Sequence, residues 1–241
     1  MTRRRWIADS WDADSAILTG EHAAHLSRVL RARPGQEFEI VAGERVRMGR
    51  IDSVADDRVV FTLGEEILAA SVLPLCVLLS VFKFDRFEWA VEKLTELGVA
   101  DIQPVIASRT DAHLAKSAEK RAERWRRIAL ESSQQARRSS TPVIHDPVAL
   151  KHAVSIQAVH KVLLAETEKR NSLASVLDSL PQLEPEAKLY IAVGPEGGWT
   201  EAELQFFDAN GWKRASLGET ILRAETAAIA AVSVVSMLLM A

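Results

Sequence analysis

The chain has one cysteine, Cys76, among 241 residues, which excludes an intrachain disulfide and a cysteine-built zinc centre and suits a reducing compartment. It has no surplus of positive charge. Thirty Lys and Arg stand against 33 Asp and Glu, a net charge of −3, so any nucleic-acid partner must be held by local basic patches and not by an overall field. It has no apolar run of membrane length. The charge-free stretch 227–241 is shorter than the roughly 17–25 residues a span requires and is rich in Ala and Ser, so it reads as a buried terminal helix. The start is basic, with Arg3, Arg4 and Arg5, but Asp9, Asp12 and Asp14 interrupt any apolar signal-peptide core. A cytoplasmic location is the expectation. Internal repeats and low-complexity segments are absent, and 48% hydrophobic residues exclude a disordered chain.

Familiar catalytic signatures are missing as well. His22 and His25 are spaced i, i+3, but no third ligand follows and no His-Glu-x-x-His occurs, so they read as surface or helix-packing residues and no metal is expected. Ser132 and Ser133 lack a Gly-x-Ser-x-Gly elbow and a paired His, which leaves hydrolase chemistry unsupported. Trp89 and Trp125 occupy helical positions and are expected to anchor the core.

What is present divides into two textures. Up to about residue 68, short β segments at 37–41, 46–51 and 58–63 alternate with turn signals, interrupted by one helical piece at 22–31; short, closely spaced strands suggest a small barrel. From residue 72 onward, long apolar runs alternate with amphipathic helices, the pattern of an α/β fold with a mostly parallel sheet. Strands are expected at 75–81, 102–107, 143–144, 162–165, 189–193 and 215–217. A helix over 87–97 is expected to begin at an Asp85-x-x-Glu88 capping arrangement and stop at Gly98, and a long one to run from 117 to 138. The division is therefore a β-rich domain over 1–70 and an α/β domain over 71–241.

Two segments stand out. Gly194-Pro195-Glu196-Gly197-Gly198-Trp199-Thr200 lies at a strand-to-helix junction, where open α/β sheets bind ligands. Its glycines permit close backbone approach, and Thr200-x-x-Glu203 forms a capping box for the next helix. Glu196 repels phosphate, so a nucleoside-type or cationic ligand fits better than a nucleotide; an ordinary Gly-rich turn is the competing reading. The second segment, Leu217-Gly218-Glu219-Thr220-Ile221-Leu222-Arg223-Ala224-Glu225-Thr226, places two apolar residues in a loop, either packed inside or lining a pocket. Charge is uneven too. Residues 116–138 carry eight bases against three acids, and Arg28, Arg31 and Arg33 add a second basic spot. Arg forks suit phosphate, although a solvated helix face is the commoner explanation.

Together these motifs resemble the knotted SPOUT superfamily of S-adenosylmethionine-dependent RNA methyltransferases, and within it the bacterial 16S ribosomal RNA uridine N3-methyltransferase family. His25-Leu26-x-Arg28-Val29-Leu30-Arg31 with Pro34-Gly35 is similar to that family's PUA-like N-terminal module, Lys83 with the helix 88–98 to its first crossover, and Gln135-x-x-Arg138 with Pro142 to its central element. The chain departs from the family at Gln134 and Ala136 and at Thr220, where a basic residue is usual.

The resemblance implies a C-terminal trefoil knot and a homodimer formed through the knot and the terminal helix. It implies methylation of uracil N3 in 16S ribosomal RNA, free or in the small ribosomal subunit. S-adenosylmethionine is the implied cofactor, held by Leu163, Leu164, Ala165, Gly194, Pro195, Glu196, Gly198, Leu217, Gly218, Ile221, Leu222 and Arg223. Arg223, Glu196 and Thr226 are the implied catalytic groups. Arg3, Arg4, Arg5, Arg28, Arg31, Lys83, Arg109 and Arg138 are the implied RNA contacts. Methylation of another base or of a ribose 2′-OH, or a non-catalytic RNA-binding role, are the alternatives.

Overall fold

Strand-forming residues at the N-terminal end pair into one sheet of six. In chain order these are β1 (Arg5–Ile7), β2 (Ser10–Trp11), β3 (Ser15–Thr19), β4 (Glu37–Ala42), β5 (Arg45–Val54) and β6 (Arg58–Ile67). Their spatial order is β1-β4-β5-β6-β3-β2, with β1 parallel to β4 and every other pairing antiparallel. The computed structural model describes residues 5–43, 45–67, 72–182, 184 and 187–239. The described residues up to Val72, with Glu131–Thr141, form one unit; Leu73–Leu130 and the described residues from Pro142 onward form a second.

The first unit is built on period-two alternation: Val59, Phe61 and Leu63 of β6 point inward, where they meet Trp6, Leu18, Ile40 and Ile51. The three strands before residue 20 are too short and too polar to have been read from the pattern. The expected helix at 22–31 begins two residues earlier, as α1 (Gly20–Ala24), and continues as a π-helical turn over His25–Val29. It ends where Arg31 takes a left-handed φ of 51°. Leu26 stays buried while Val29 and Leu30 are exposed. His22 and His25 both pack against the Trp6 ring, at 6.0 and 5.9 Å between centroids, the packing role expected of them.

Two arginines expected on an RNA-facing surface are instead buried here. Arg5 donates through Nε to Glu39 at 3.0 Å and also bonds the Arg137 carbonyl. Arg138 is 8% exposed, and burial brings its guanidinium down to about 10. Desolvating a guanidinium is costly unless its donors are met, which makes both residues structural cations of this unit.

The second unit carries an all-parallel sheet: β7 (Leu73–Ser80), β8 (Val99–Ile106), β9 (Val143–Ile144), β10 (Val148–Ala149), β11 (Lys161–Leu164), β12 (Leu189–Val193) and β13 (Lys213–Ala215). Its main path runs β10-β8-β7-β12-β11-β13, with β9 beside β8. The expected parallel α/β architecture is present, with one strand earlier than expected: in place of 215–217 the strand is 213–215, because pairing with β11 ends at Ala215 and the Ser216 hydroxyl donates to the Gly218 carbonyl.

Helices α2 (Phe84–Glu96), α3 (Ala112–Gln135), α4 (Leu150–Val154), α5 (Leu173–Asp178), α6 (Glu201–Ala209) and α7 (Ala224–Leu239) complete the fold. Helix α3 starts five residues before its expected position because Asp111 Oδ1 accepts from the His113 and Leu114 amides, and it stops early because Arg137 takes φ 56°. Helix α2 does stop at Gly98, φ 93°, but the expected capping arrangement does not form. Lys83 is its N-cap without a side-chain bond, and Glu88 instead pairs with Arg121 and Arg124 at 3.3 and 2.8 Å. Trp125 is fully buried against Phe87, whereas Trp89 is exposed and lies outside the buried core. Much of the cationic charge of α3 is committed inside this unit, since Arg126 also pairs with Glu123 and Asp146. The terminal helix buries Ala228, Ala231, Val232 and Val235 but exposes Met237, Leu238 and Leu239. No helix among the described residues is long and apolar enough to cross a membrane.

Candidate active site

Because β12, β11 and β13 are adjacent and parallel, their carboxyl ends open on one edge of the sheet. The segments leaving them, 164–166, 193–199 and 215–223, frame a cavity of about 310 Å³, closed by Ala224 and Ala227 of α7 and Arg86 of α2. Such a volume takes a small organic ligand. Alanine at both α7 positions leaves the space that larger side chains would fill.

The glycine turn is held from three directions. The Trp199 indole Nε1 donates to the Leu164 carbonyl at 2.9 Å. A Cβ at Gly194 would stand 3.2 Å from that indole, so any larger residue would push the ring back by a few tenths of an ångström. Arg109 donates through Nη1 to the carbonyls of Gly197 at 2.6 Å and Trp199 at 3.3 Å. The expected capping box is complete: Thr200 Oγ1 accepts from the Glu203 amide at 3.2 Å, and Glu203 Oε2 accepts from the Thr200 amide at 2.8 Å. Glu203 Oε1 further accepts from the Ser108 amide at 2.7 Å. Burial works to raise the Glu203 carboxyl, but these amides and the Thr200 hydroxyl outweigh it and hold the group below its ordinary value.

Gly198 adopts φ 68°, and a Cβ there would come within 2.9 Å of Glu166 Oε1. Gly198→Ala is therefore expected to cost about 1–2 kcal/mol of stability, seen as a lower urea midpoint at constant m-value. An unmoved midpoint would show that the turn carries no such strain.

Eleven of the twelve positions expected to hold the cofactor line this one cavity. Leu163 does not: strand alternation turns it into the core on the opposite face, with Phe207 and Trp212. Arg223 and Glu196 line the cavity, while Thr226 is exposed on α7 and lies outside the lining. Ile221 is 77% exposed at the cavity rim, so the apolar loop lines a pocket and is not packed inside. Lys83 and Arg109 are exposed, and Arg109 serves as the clamp on the glycine turn. Arg28 is a surface residue paired with Asp56 at 3.2 Å, and Arg31 is exposed. Arg3 and Arg4 lie outside the described residues.

The sequence reading missed Arg86 and Lys169, which also line the cavity. A signal for Arg86 existed: it opens the helix after β7, at the carboxyl end of the parallel strand next to β12. Cys76 is buried and its thiol is pushed up to about 12, first by burial and then by Asp101, which leaves no thiolate nucleophile. Among the described residues, no three metal-ligating side chains gather.

Comparison with known proteins agrees with this geometry. Residues 69–236 match the model of the RNA methyltransferase domain. The chain is 32% identical over 228 residues to ribosomal RNA small subunit methyltransferase E of Synechocystis sp., covering 93% of this chain and 74% of the relative. It is 30% identical to the protein of that name from Bacillus subtilis, covering 93% and 91%. The crystal structure of ribosomal RNA small subunit methyltransferase E from Neisseria gonorrhoeae bound to S-adenosyl methionine superposes with a TM-score of 0.85 at 26% identity, covering 99% and 98%. By sequence over nearly its whole length and by fold, the chain belongs to the ribosomal RNA small subunit methyltransferase E family.

Proposed function

We propose that the protein transfers a methyl group from S-adenosylmethionine to N3 of a uridine in small-subunit ribosomal RNA. One observation carries this reading: the glycine turn and the loop 217–223, which bear the family resemblance separately in sequence, frame one cavity with the end of β11. The cavity suits the cofactor. Leu164, Leu217, Ile221 and Leu222 give apolar walls for an adenosine, the glycine turn offers backbone edges, and Glu166 and Glu196 offer negative charge to a cation. When bound, the cofactor supplies an electrophilic methyl group on a sulfonium.

The protein's part is position and charge. Uracil N3 carries a proton at neutral pH, so negative charge develops on the uracil carbonyls as that proton leaves. Arg223 is the residue assigned to stabilise it. Glu196 is assigned to draw the proton or to orient the ribose. Arg28 and Arg31 remain as exposed contacts for RNA phosphates, with Lys83 a further one. The six-stranded unit is read as a PUA-like barrel that docks RNA, and the second unit as one closed by a trefoil knot through α7. Exposed Met237, Leu238 and Leu239 support a homodimer through that helix, and the cytoplasm is the expected location.

Primer extension on ribosomal RNA tests the reading. N3 methylation blocks Watson–Crick pairing, so a reverse-transcription stop in small-subunit RNA should vanish in a strain lacking the gene and return on complementation. A stop that persists in that strain overturns the assignment.

A further inference from the structure

Arg86 sits between two carboxylates. Its Nη1 donates to Glu196 Oε1 at 3.0 Å, and its Nε lies 3.8 Å from Glu225 Oε1. Glu196 is on the glycine turn and Glu225 in the first turn of α7, so one guanidinium joins three elements around the cavity. Glu225 is 6% exposed, and its Oε2 is buried without a hydrogen-bond partner. Burying a carboxylate is costly without a cation beside it, and Arg86 is the cation that the structure pairs with it. Arg86 and Glu196 line the cavity, Glu225 does not, and the remaining charged groups that do are Glu166, Lys169 and Arg223, none of them ion-paired with this set among the described residues.

We infer that Arg86 is a specificity-determining residue: as the shared counter-cation of Glu196 and Glu225, it sets the negative charge that the cavity presents and hence its preference for the cationic cofactor over the neutral product. With Arg86 in place the three groups sum to one negative charge, enough to favour a sulfonium. Without it they sum to two, which would hold the cation more tightly still and further disfavour the uncharged thioether. The inference rests on S-adenosylmethionine being the ligand.

Calorimetry tests it without turnover, using S-adenosylmethionine and S-adenosylhomocysteine as paired probes of nearly equal shape and unequal charge. In Arg86→Gln the ratio of product Kd to cofactor Kd should rise roughly five- to tenfold, the size expected of one unit charge a few ångströms away in a partly solvated site. In Glu196→Gln it should fall by a similar factor. In the double variant Arg86→Gln/Glu196→Gln, whose summed charge equals that of the wild type, it should return close to the starting value. Arg86→Lys keeps the charge but not the fork, so it should weaken both ligands while leaving their ratio near that of the wild type.

A purely structural Arg86 would weaken both ligands in parallel in every variant, and that pattern overturns the inference. So does a ratio that moves in the same direction in both single variants. If neither probe binds the wild-type protein, the proposed function itself fails, an outcome separable from failure of the charge assignment.

Discussion

Replacing Arg223 by alanine is expected to lower kcat for methyl transfer by about 10²–10³-fold while changing the S-adenosylmethionine Kd by less than about threefold. The expectation follows from where the guanidinium stands. Arg223 closes the apolar loop at the mouth of the cavity, one residue before α7, and is exposed. Among the described residues no carboxylate pairs with it, in contrast to Arg86, Arg121, Arg124 and Arg126. A cation that the fold does not neutralise is free to meet charge that appears only during the reaction, which is the condition for acting on kcat and not on ground-state binding. Arg223→Lys should recover part of the rate, since it keeps the charge but cannot donate to two carbonyl oxygens as a planar fork does. Turnover of Arg223→Ala within a few-fold of wild type, measured with saturating RNA and cofactor, would sink the assignment.

Local chemistry was legible in the sequence, and partners distant in the chain were not. The turn at 194–198 and the Thr200–Glu203 box could be read directly, because glycine placement and an i, i+3 cap depend only on neighbours. The same rule failed at Asp85-x-x-Glu88, where Glu88 is drawn away by Arg121 and Arg124 from another helix. The Arg-rich helix suggested a nucleic-acid surface for a like reason. The acids that occupy its arginines, Glu88 and Asp146, are remote in sequence. Arg5 reads in sequence as one more exposed cation, because its partner Glu39 is 34 residues away. Leu217 extends the strand pattern past the last residue that pairs with β11, since an apolar pocket wall and an apolar strand look alike in one dimension.

The same contrast between local and distant partners gives the second large effect, at Glu203. Its local partner is Thr200; its distant one is the Ser108 amide, beside the Arg109 that clamps the glycine turn. Glu203→Ala removes both at once and leaves two part-buried amide donors without their carboxylate, so a loss of about 1–3 kcal/mol at neutral pH is expected. Because the turn then loses support at its helix end, cofactor affinity should fall by roughly tenfold, about 1.4 kcal/mol.

Acidity separates this from a simple packing defect. The folded carboxyl lies below its ordinary value of 4.5, so its stabilisation is fully present above that value and is lost as pH falls through the folded one. The stability gap between wild type and Glu203→Gln, from urea unfolding, should therefore be constant from neutral pH down to about pH 5 and close as the pH drops further. A gap that stays open at low pH would mean that the amide replaces the carboxylate in shape but that its charge was never what held the turn.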